Sequence, residues 1–356
     1  MSETLDQARA VRAEDGFDIA KVDGWLKAHI GGLDGAPELA QFAGGASNLT
    51  YLLTYPGREL VLRRAPPGAS VKSAHDMTRE ARVMAALKPH YPLVPEILAI
   101  CDDASVLGQS FYAMERLRGT ILRRDIPKAL GLDADATRRL CLGFWDRLVD
   151  LHRIDARTPA LQHLGKGEGY IERQVLGWSE RWQRAAVEDT DPATDVLAWL
   201  AQHRPARDNA VRVIHNDYRF DNVVLALDDP QRIEGVLDWE MATLGDPLMD
   251  LGGSLAYWVQ ADDDTVFRAL RRQPSDAEGM LTRAEIIDYY ASKTGLDVSG
   301  FAFYEVFGLF RLAVIAQQIY RRYALGHTRN PQFAGFGDGV RHLIERCRRI
   351  SGLSAS

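Results

Sequence analysis

From Val213 to Gly252 the chain reads VIHNDYRFDNVVLALDDPQRIEGVLDWEMATLGDPLMDLG, and the residue types that could do chemistry are concentrated there. His215, Asp217 and Asn222 form HxDxxxxN, with a strand-like run from Val211 to Ile214 before it and another from Val223 to Leu227 after it. A third run, Ile233 to Leu237, ends at Asp238. This order would bring a carboxylate, an amide and a second carboxylate to the edge of a small sheet. Amide and carboxylate oxygens are the hard donors that Mg2+ takes, and a carboxylate beside them can serve as the base in phosphoryl transfer. A metal phosphohydrolase using His215 and Asp217 as ligands is a rival reading, but the chain lacks further clustered histidines.

Such a site needs an opposing surface for a nucleotide. Asp18 to Ile30 places Ile19, Val22, Trp25, Leu26 and Ile30 at near-helical spacing before the Gly31-Gly32 stop, and residues 1–18 read as a loose polar arm. Leu39 to Phe42, Leu49 to Tyr55 and Glu59 to Arg64 then read as strands joined by a glycine turn and by Pro56-Gly57. In the glycine turn, Gly44 and Gly45 could let backbone amides approach a phosphate, with Ser47 and Asn48 as further donors; an ordinary hairpin turn is the competing reading. Period-two geometry puts Val61 and Arg63 on one face of the third strand, and Ser70 to Leu87 reads as a helix carrying Glu80 near its apolar stripe. Glu80 could orient Arg63, or it could be a solvated glutamate. Ile97 to Ile100 and Phe111 to Met114 complete about five strands. Glu115 to Gly119 has no apolar periodicity and is the candidate hinge, where backbone groups near Glu115 and Leu117 could bind an adenine edge.

After Asp133 the texture changes to long amphipathic helices, at about 135–153, 170–188, 192–203, 248–259, 282–293, 300–324 and 337–350. Thr282 and Glu285 form a capping box, and Asp246 before Pro247 suits a helix N-cap. Asp250, four residues on, could anchor the loop that carries Asp217. Asp221 and Glu240 could come near a metal. His152 reads as a satisfied structural histidine, and Trp178, Trp182 and Trp199 as core.

The 356 residues suit two domains or two lobes, and the net charge of -6 argues against general nucleic-acid binding. Cys101, Cys141 and Cys347 are dispersed and outside any CxxC pattern, which suits a reducing cytoplasm. The charged N-terminus lacks an apolar secretory segment. Phe301 to Tyr320 contains Glu305, Arg311 and two glutamines, so no membrane segment is expected.

The succession GGASNLTYLL, VLRR, REARVMAAL, FYAMERLRG, VIHNDYRFDN, VLDWE and GDPLMDLG, over about residues 35–345, resembles the aminoglycoside phosphotransferase family of the protein-kinase-like superfamily. HNDYRFDN followed by LDWEMATLGDPLMDLG is more similar to the kinase-like domains associated with certain acyl-CoA dehydrogenases. The resemblance implies a two-lobed α+β kinase-like fold. It has an N-terminal arm and helix at 1–34, a small antiparallel sheet lobe with one long helix at 35–117, and a larger, mainly helical lobe at 118–356, with ATP lying between the lobes. It implies Asp217 as the catalytic base, His215 as a loop-orienting residue, Arg219 on the transferring phosphoryl group, and Asn222 and Asp238 as Mg2+ ligands. Arg63 stands where kinases usually have lysine, keeping the charge but changing a point donor into a planar fork. The implied acceptor is a hydroxylated small molecule such as a hydroxyacyl-CoA. An aminoglycoside fits less well, because no dense acidic cluster suited to a polycation precedes His215. A catalytically silent nucleotide-binding regulator is the reading from a different class.

Overall fold

Strand-forming residues alternate over Leu49–Tyr55, and Tyr51, Leu53 and Tyr55 turn into a common core while Thr50 and Thr54 lie partly open. This strand, β2, lies in a five-stranded antiparallel sheet with β1 (Glu38–Gln41), β3 (Arg58–Arg64), β4 (Ile97–Cys101) and β5 (Phe111–Glu115). The order is β1-β2-β3-β5-β4, with Arg63 opposite Thr50 on one side and Tyr112 on the other. The computed structural model describes residues 8–42, 48–66 and 77–353. Helix α1 (Ile19–His29) starts at the Asp18 cap and buries Val22 and Leu26 against Tyr51, Leu60, Leu62 and Phe111. Helix α2 spans Met77–Leu87, and residues 70–76 of the predicted helix lie outside the described residues. A short α3 covers Ala104–Leu107.

The arm before α1 is not loose over its described part. Arg9 makes a β-bridge to Gln41, and the carboxylate of buried Asp15 accepts from Gln41 and Arg12.

The second group of elements comprises α4 (Ala134–His152), α5 (Tyr170–Ala185), α6 (Thr194–His203), β6 (Arg212–Ile214), then β7 (Val223–Leu225), β8 (Ile233–Val236) and β9 (Thr243–Gly245). It continues with α7 (Pro247–Leu255), α8 (Thr265–Ala269), α9 (Arg283–Thr294), α10 (Ala302–Ala324) and α11 (Phe336–Ser351). The caps read from sequence are present. Asp246 accepts from Leu248 N and Met249 N at the start of α7, and Thr282 and Glu285 close a reciprocal box on α9. Helix α10 is long and apolar enough to cross a bilayer by length and composition, despite Glu305 and Arg311. Over half of that window (56%) is buried inside the protein, where α10 packs against α5, α7 and α11. The α7–α10 crossing is close because both helices present glycine: a Cβ at Gly308 would stand 2.2 Å from the Gly252 carbonyl oxygen. Any larger residue must force the backbones apart.

Two compact units result, one of Met1–Ile121 with Asn222–Ala242, the other of Leu122–Asp221 with Thr243–Ser356. The sequence reading puts one boundary at 117/118 and a single lobe over 118–356; by contact the division falls after Ile121, and Asn222–Ala242 groups with the sheet. The cause is local. Thr120 pairs with Leu225 on β7, Val236 N donates to Leu93 O, and the Arg79 guanidinium donates to the carbonyls of Glu240 and Ala242. Gly119 permits the approach, since a Cβ there would meet Leu225 O at 2.2 Å. The three strand-like runs of the motif region do not form one small sheet either. β6 pairs with β9, which was not foreseen, and β7 pairs with β8.

Candidate active site

In the first unit, β3 carries Arg63 and α2 carries Glu80, and the two meet in a buried ion pair, Nη1 to Oε1 at 2.5 Å. The second guanidinium nitrogen, Nη2, donates to Asp238 Oδ1 at 3.1 Å. Arginine's planar fork can serve two carboxylates at once, which a lysine's single ammonium does less well. Burial works against the charge on Arg63, but Glu80, Tyr112 and Asp238 outweigh it and hold the guanidinium well above its ordinary value. Burial pushes Glu80 up, partly offset by Arg63. Asn222 and Asp238 lie at the same end of the β7–β8 ladder: Val223 faces Val236, and Leu237 N donates to Asn222 O at 2.8 Å. Asp238 adopts a left-handed backbone (φ 65°), a conformation uncommon for a residue other than glycine.

The amide of Asn222 and the carboxylate of Asp238 are hard oxygen donors, so this end of the ladder fits Mg2+. Among the described residues no group of three or more His, Cys, Asp or Glu could hold a metal. Asn48 donates to Glu240 Oε2 at 2.7 Å, which ties the end of the glycine turn to the segment after Asp238. Gly45 and Ser47 lie outside the described residues. Glu115 ends β5; its carboxylate accepts from Lys88 and from Glu96 N, and its own amide donates to Glu96 O. Arg116 and Arg118 both pair with Glu59 on either side of half-buried Leu117.

In the second unit, residues 217–221 alternate. Tyr218 and Phe220 point inward, where Phe220 stacks on Phe144 at 4.1 Å and the Tyr218 hydroxyl donates to Phe144 O. Asp217, Arg219 and Asp221 are left together on the other side. The Arg219 guanidinium lies 3.0 Å from Asp217 Oδ1, 3.3 Å from Asp221 Oδ2 and 4.6 Å from the centre of the Tyr257 ring. Burial disfavours its charge, yet Asp217, Asp221 and Tyr257 hold it above its usual value. Burial raises Asp221, with Arg219 opposing and Asp217 adding to the rise. Arg219, expected on a transferring phosphoryl group, is thus an ion-pair partner of the proposed base.

The loop is anchored from α7. Asp250 is fully buried, and it accepts from His215 N and Asn216 N, each at 2.7 Å, and bonds His152 Nε2 at 3.0 Å. Burial alone would raise this carboxylate, but the bonds from His152 and the neighbouring His215 lower it. His152 in turn contacts the Tyr290 hydroxyl at 2.6 Å. The His215 ring accepts from Asp217 N at 3.2 Å, which fits a loop-orienting place. The reading of Trp199 as core is corrected: it is half-buried and stacks on His203, whereas Trp178 and Trp182 are buried. His152, bonded to Asp250 and Tyr290, is the satisfied structural histidine expected. Three contributors were not foreseen: Arg79, Tyr257 and Arg311 (Nη2 to Asn216 O, 2.8 Å). Only Arg79, next to Glu80, lay beside a residue already singled out.

An antiparallel sheet whose third strand is bound to a helix by a buried Arg–Glu pair, and a helical unit presenting an anchored HxD loop, define a kinase-like α+β protein. The sequence profile of the phosphotransferase enzyme family (APH) matches residues 38–286, and the chain belongs to that family. Human acyl-CoA dehydrogenase family member 11 is 33% identical over 344 residues, covering 94% of this chain and 43% of that protein. The chain therefore spans less than half the length of that curated relative. A crystal structure from Ralstonia eutropha JMP134, provisionally assigned as an aminoglycoside phosphotransferase, is 30% identical with a TM-score of 0.80, covering 95% of this chain and 99% of that one. A thermostable mutant of aminoglycoside phosphotransferase APH(4)-Ia, solved with AMP-PNP and hygromycin B, is 17% identical with a TM-score of 0.58, covering 94% of this chain and 100% of that one. At that identity the likeness is one of fold.

Proposed function

We propose that this chain transfers the γ-phosphate of ATP to a hydroxyl group of a small molecule, and that the acceptor is a hydroxyacyl-CoA. The observation that carries the phosphotransfer reading is Arg63 held by Glu80 and bonded to Asp238, beside Asn222 at one end of the β7–β8 ladder. A fixed cation beside two hard oxygen donors suits a polyphosphate and its metal. The acyl-CoA half of the proposal is supported by the name of the relative quoted above.

In this reading Asp217 accepts the proton of the acceptor hydroxyl as its oxygen attacks the γ-phosphorus. A new O–P bond forms, the bond to the β–γ bridging oxygen breaks, and ADP leaves. Mg2+, when held by Asn222 and Asp238, would offset phosphate charge. Arg219, already at Asp217, shares the negative charge of that carboxylate and, on substrate binding, could stabilise charge on the equatorial phosphate oxygens. Asp250 is a positioning residue, fixing the two amides that precede Asp217.

The catalytically silent alternative has one specific support: the ion pair from Arg219 occupies the carboxylate that must act as base. Turnover decides between them. Hydroxyacyl-CoAs, aminoglycosides, choline-like alcohols and sugars are offered with Mg2+-ATP, with Asp217→Asn as control. Phosphorylated hydroxyacyl-CoA formed by the wild type alone supports the proposal. Nucleotide binding without transfer to any of them supports the silent regulator.

A further inference from the structure

Helices α5 and α10 of the second unit leave a groove of about 370 Å³ between them, lined by Arg181, Arg184, Ala185, Gln318 and Arg321. Its floor is fixed by Gln317, which is buried and donates to Ala185 O at 3.0 Å, and by Trp182 against Phe310. Arg184 rests only loosely on Glu180, at 3.5 Å, and both side chains are exposed. Arg181 and Arg321 have no ion-pair partner among the described residues. The Nε of Arg321 is buried without a hydrogen-bond partner, a costly state for a charged donor that an anion's oxygens would relieve.

A chain of side-chain contacts runs from the groove toward the loop that carries Asp217. Arg181 lies 4.5 Å from the ring centre of buried Trp178, and Arg311 lies 5.4 Å from the same ring. Arg311 then donates to the carbonyl of Asn216, the residue before Asp217. One indole and two guanidinium groups therefore separate the groove from the loop. An acceptor with a long neutral arm could lie along them, its phosphates at one end and its hydroxyl at the other.

We infer that this arginine groove binds phosphate groups of the acceptor, those of the nucleotide end of a coenzyme A thioester. The inference rests on the acyl-CoA reading above. Arginine matches phosphate with paired donors and stays charged throughout the physiological range, so binding weakens with salt rather than with pH.

The test is calorimetric titration of the full chain, without ATP, with coenzyme A, dephospho-coenzyme A, pantetheine and inorganic pyrophosphate. Coenzyme A is expected to bind, dephospho-coenzyme A more weakly, and pantetheine not measurably. Arg321→Ala and Arg181→Ala each weaken coenzyme A binding about ten- to a hundredfold, the loss of one or two charge-assisted bonds, while ATP affinity stays unchanged. Arg321→Lys, which keeps the charge without the fork, falls between, and thermal melts confirm that each variant is folded. Coenzyme A affinity unchanged in folded Arg181→Ala and Arg321→Ala, equal affinity for pantetheine, or no binding of coenzyme A overturns the inference. Tight pyrophosphate binding with no coenzyme A binding overturns the coenzyme assignment as well, leaving a free-phosphate site. If coenzyme A binds through these arginines but no acyl-CoA is phosphorylated, the groove stands and the acceptor proposal falls. If hydroxyacyl-CoA is phosphorylated with the same KM in the arginine variants, the groove fails and the acceptor proposal stands.

Discussion

Replacing Asp250 with asparagine tests how the proposed catalytic loop is held. The carboxylate accepts two backbone amides at 2.7 Å and faces His152 Nε2 at 3.0 Å, with 1% of the residue exposed. Asparagine keeps one acceptor oxygen and turns an NH2 toward at least one of these donors, leaving a buried donor unsatisfied. Such a loss costs about 1–3 kcal/mol, and weakening the remaining charge-assisted bonds brings the expected total to roughly 2–4 kcal/mol. For a domain of this size that lowers Tm by about 4–16 °C, since each kcal/mol shifts Tm by about 2–4 °C.

The pH dependence carries a sign. Asp250 is held below the usual carboxylate range, so its contribution is present above the unfolded value near ~3.9 and is lost as pH falls through the lower folded value. Urea denaturation of wild type and Asp250→Asn from pH 7 downward should show a constant gap above about pH 5 that narrows below about pH 4. Equal midpoints at pH 7, or a gap that does not change on acidification, would refute the anchoring role.

Other consequences follow from the same structure. Arg63→Met leaves Glu80 buried without its partner and should cost about 3–5 kcal/mol, whereas Arg63→Lys should keep much of the stability but weaken ATP binding; denaturant melts and nucleotide titration separate the two effects. Gly308→Ala forces apart the α7–α10 crossing and should lower Tm in thermal melts; equal Tm would contradict the close approach. Tyr257→Leu removes the ring beside Arg219 and should cost about 0.5–2 kcal/mol of cation–π attraction, read as lowered stability in melts.

The strands of the first unit were legible because period-two burial and turn residues mark them, and β2, β3 and the five-strand count match expectation closely. Helices α4 to α11 were mostly legible from amphipathic spacing and caps, except short α8, which is too brief to show a period. The Arg63–Glu80 pair could be anticipated because strand parity and helix stripe each limited where the side chains lay. What escaped were features set by tertiary contact. The grouping of Asn222–Ala242 with the sheet depends on Thr120, Leu93 and Arg79, none of which is marked by local pattern. Tyr257 reaches the loop from the turn after α7 and Arg311 from α10, whose sequence spacing reports packing alone. The alternation of Tyr218 and Phe220 with Asp217, Arg219 and Asp221 was visible, but only the structure pairs Arg219 with the acids on either side.

The central proposal is that Asp217 activates an acceptor hydroxyl for attack on ATP. Its most direct test is a single-turnover measurement of γ-phosphate transfer to a hydroxyacyl-CoA by wild type and Asp217→Asn, with ATP affinity measured in parallel. A drop of about 10²–10⁴ in the transfer rate, with ATP binding retained, is the predicted result. Transfer by Asp217→Asn at the wild-type rate would contradict it.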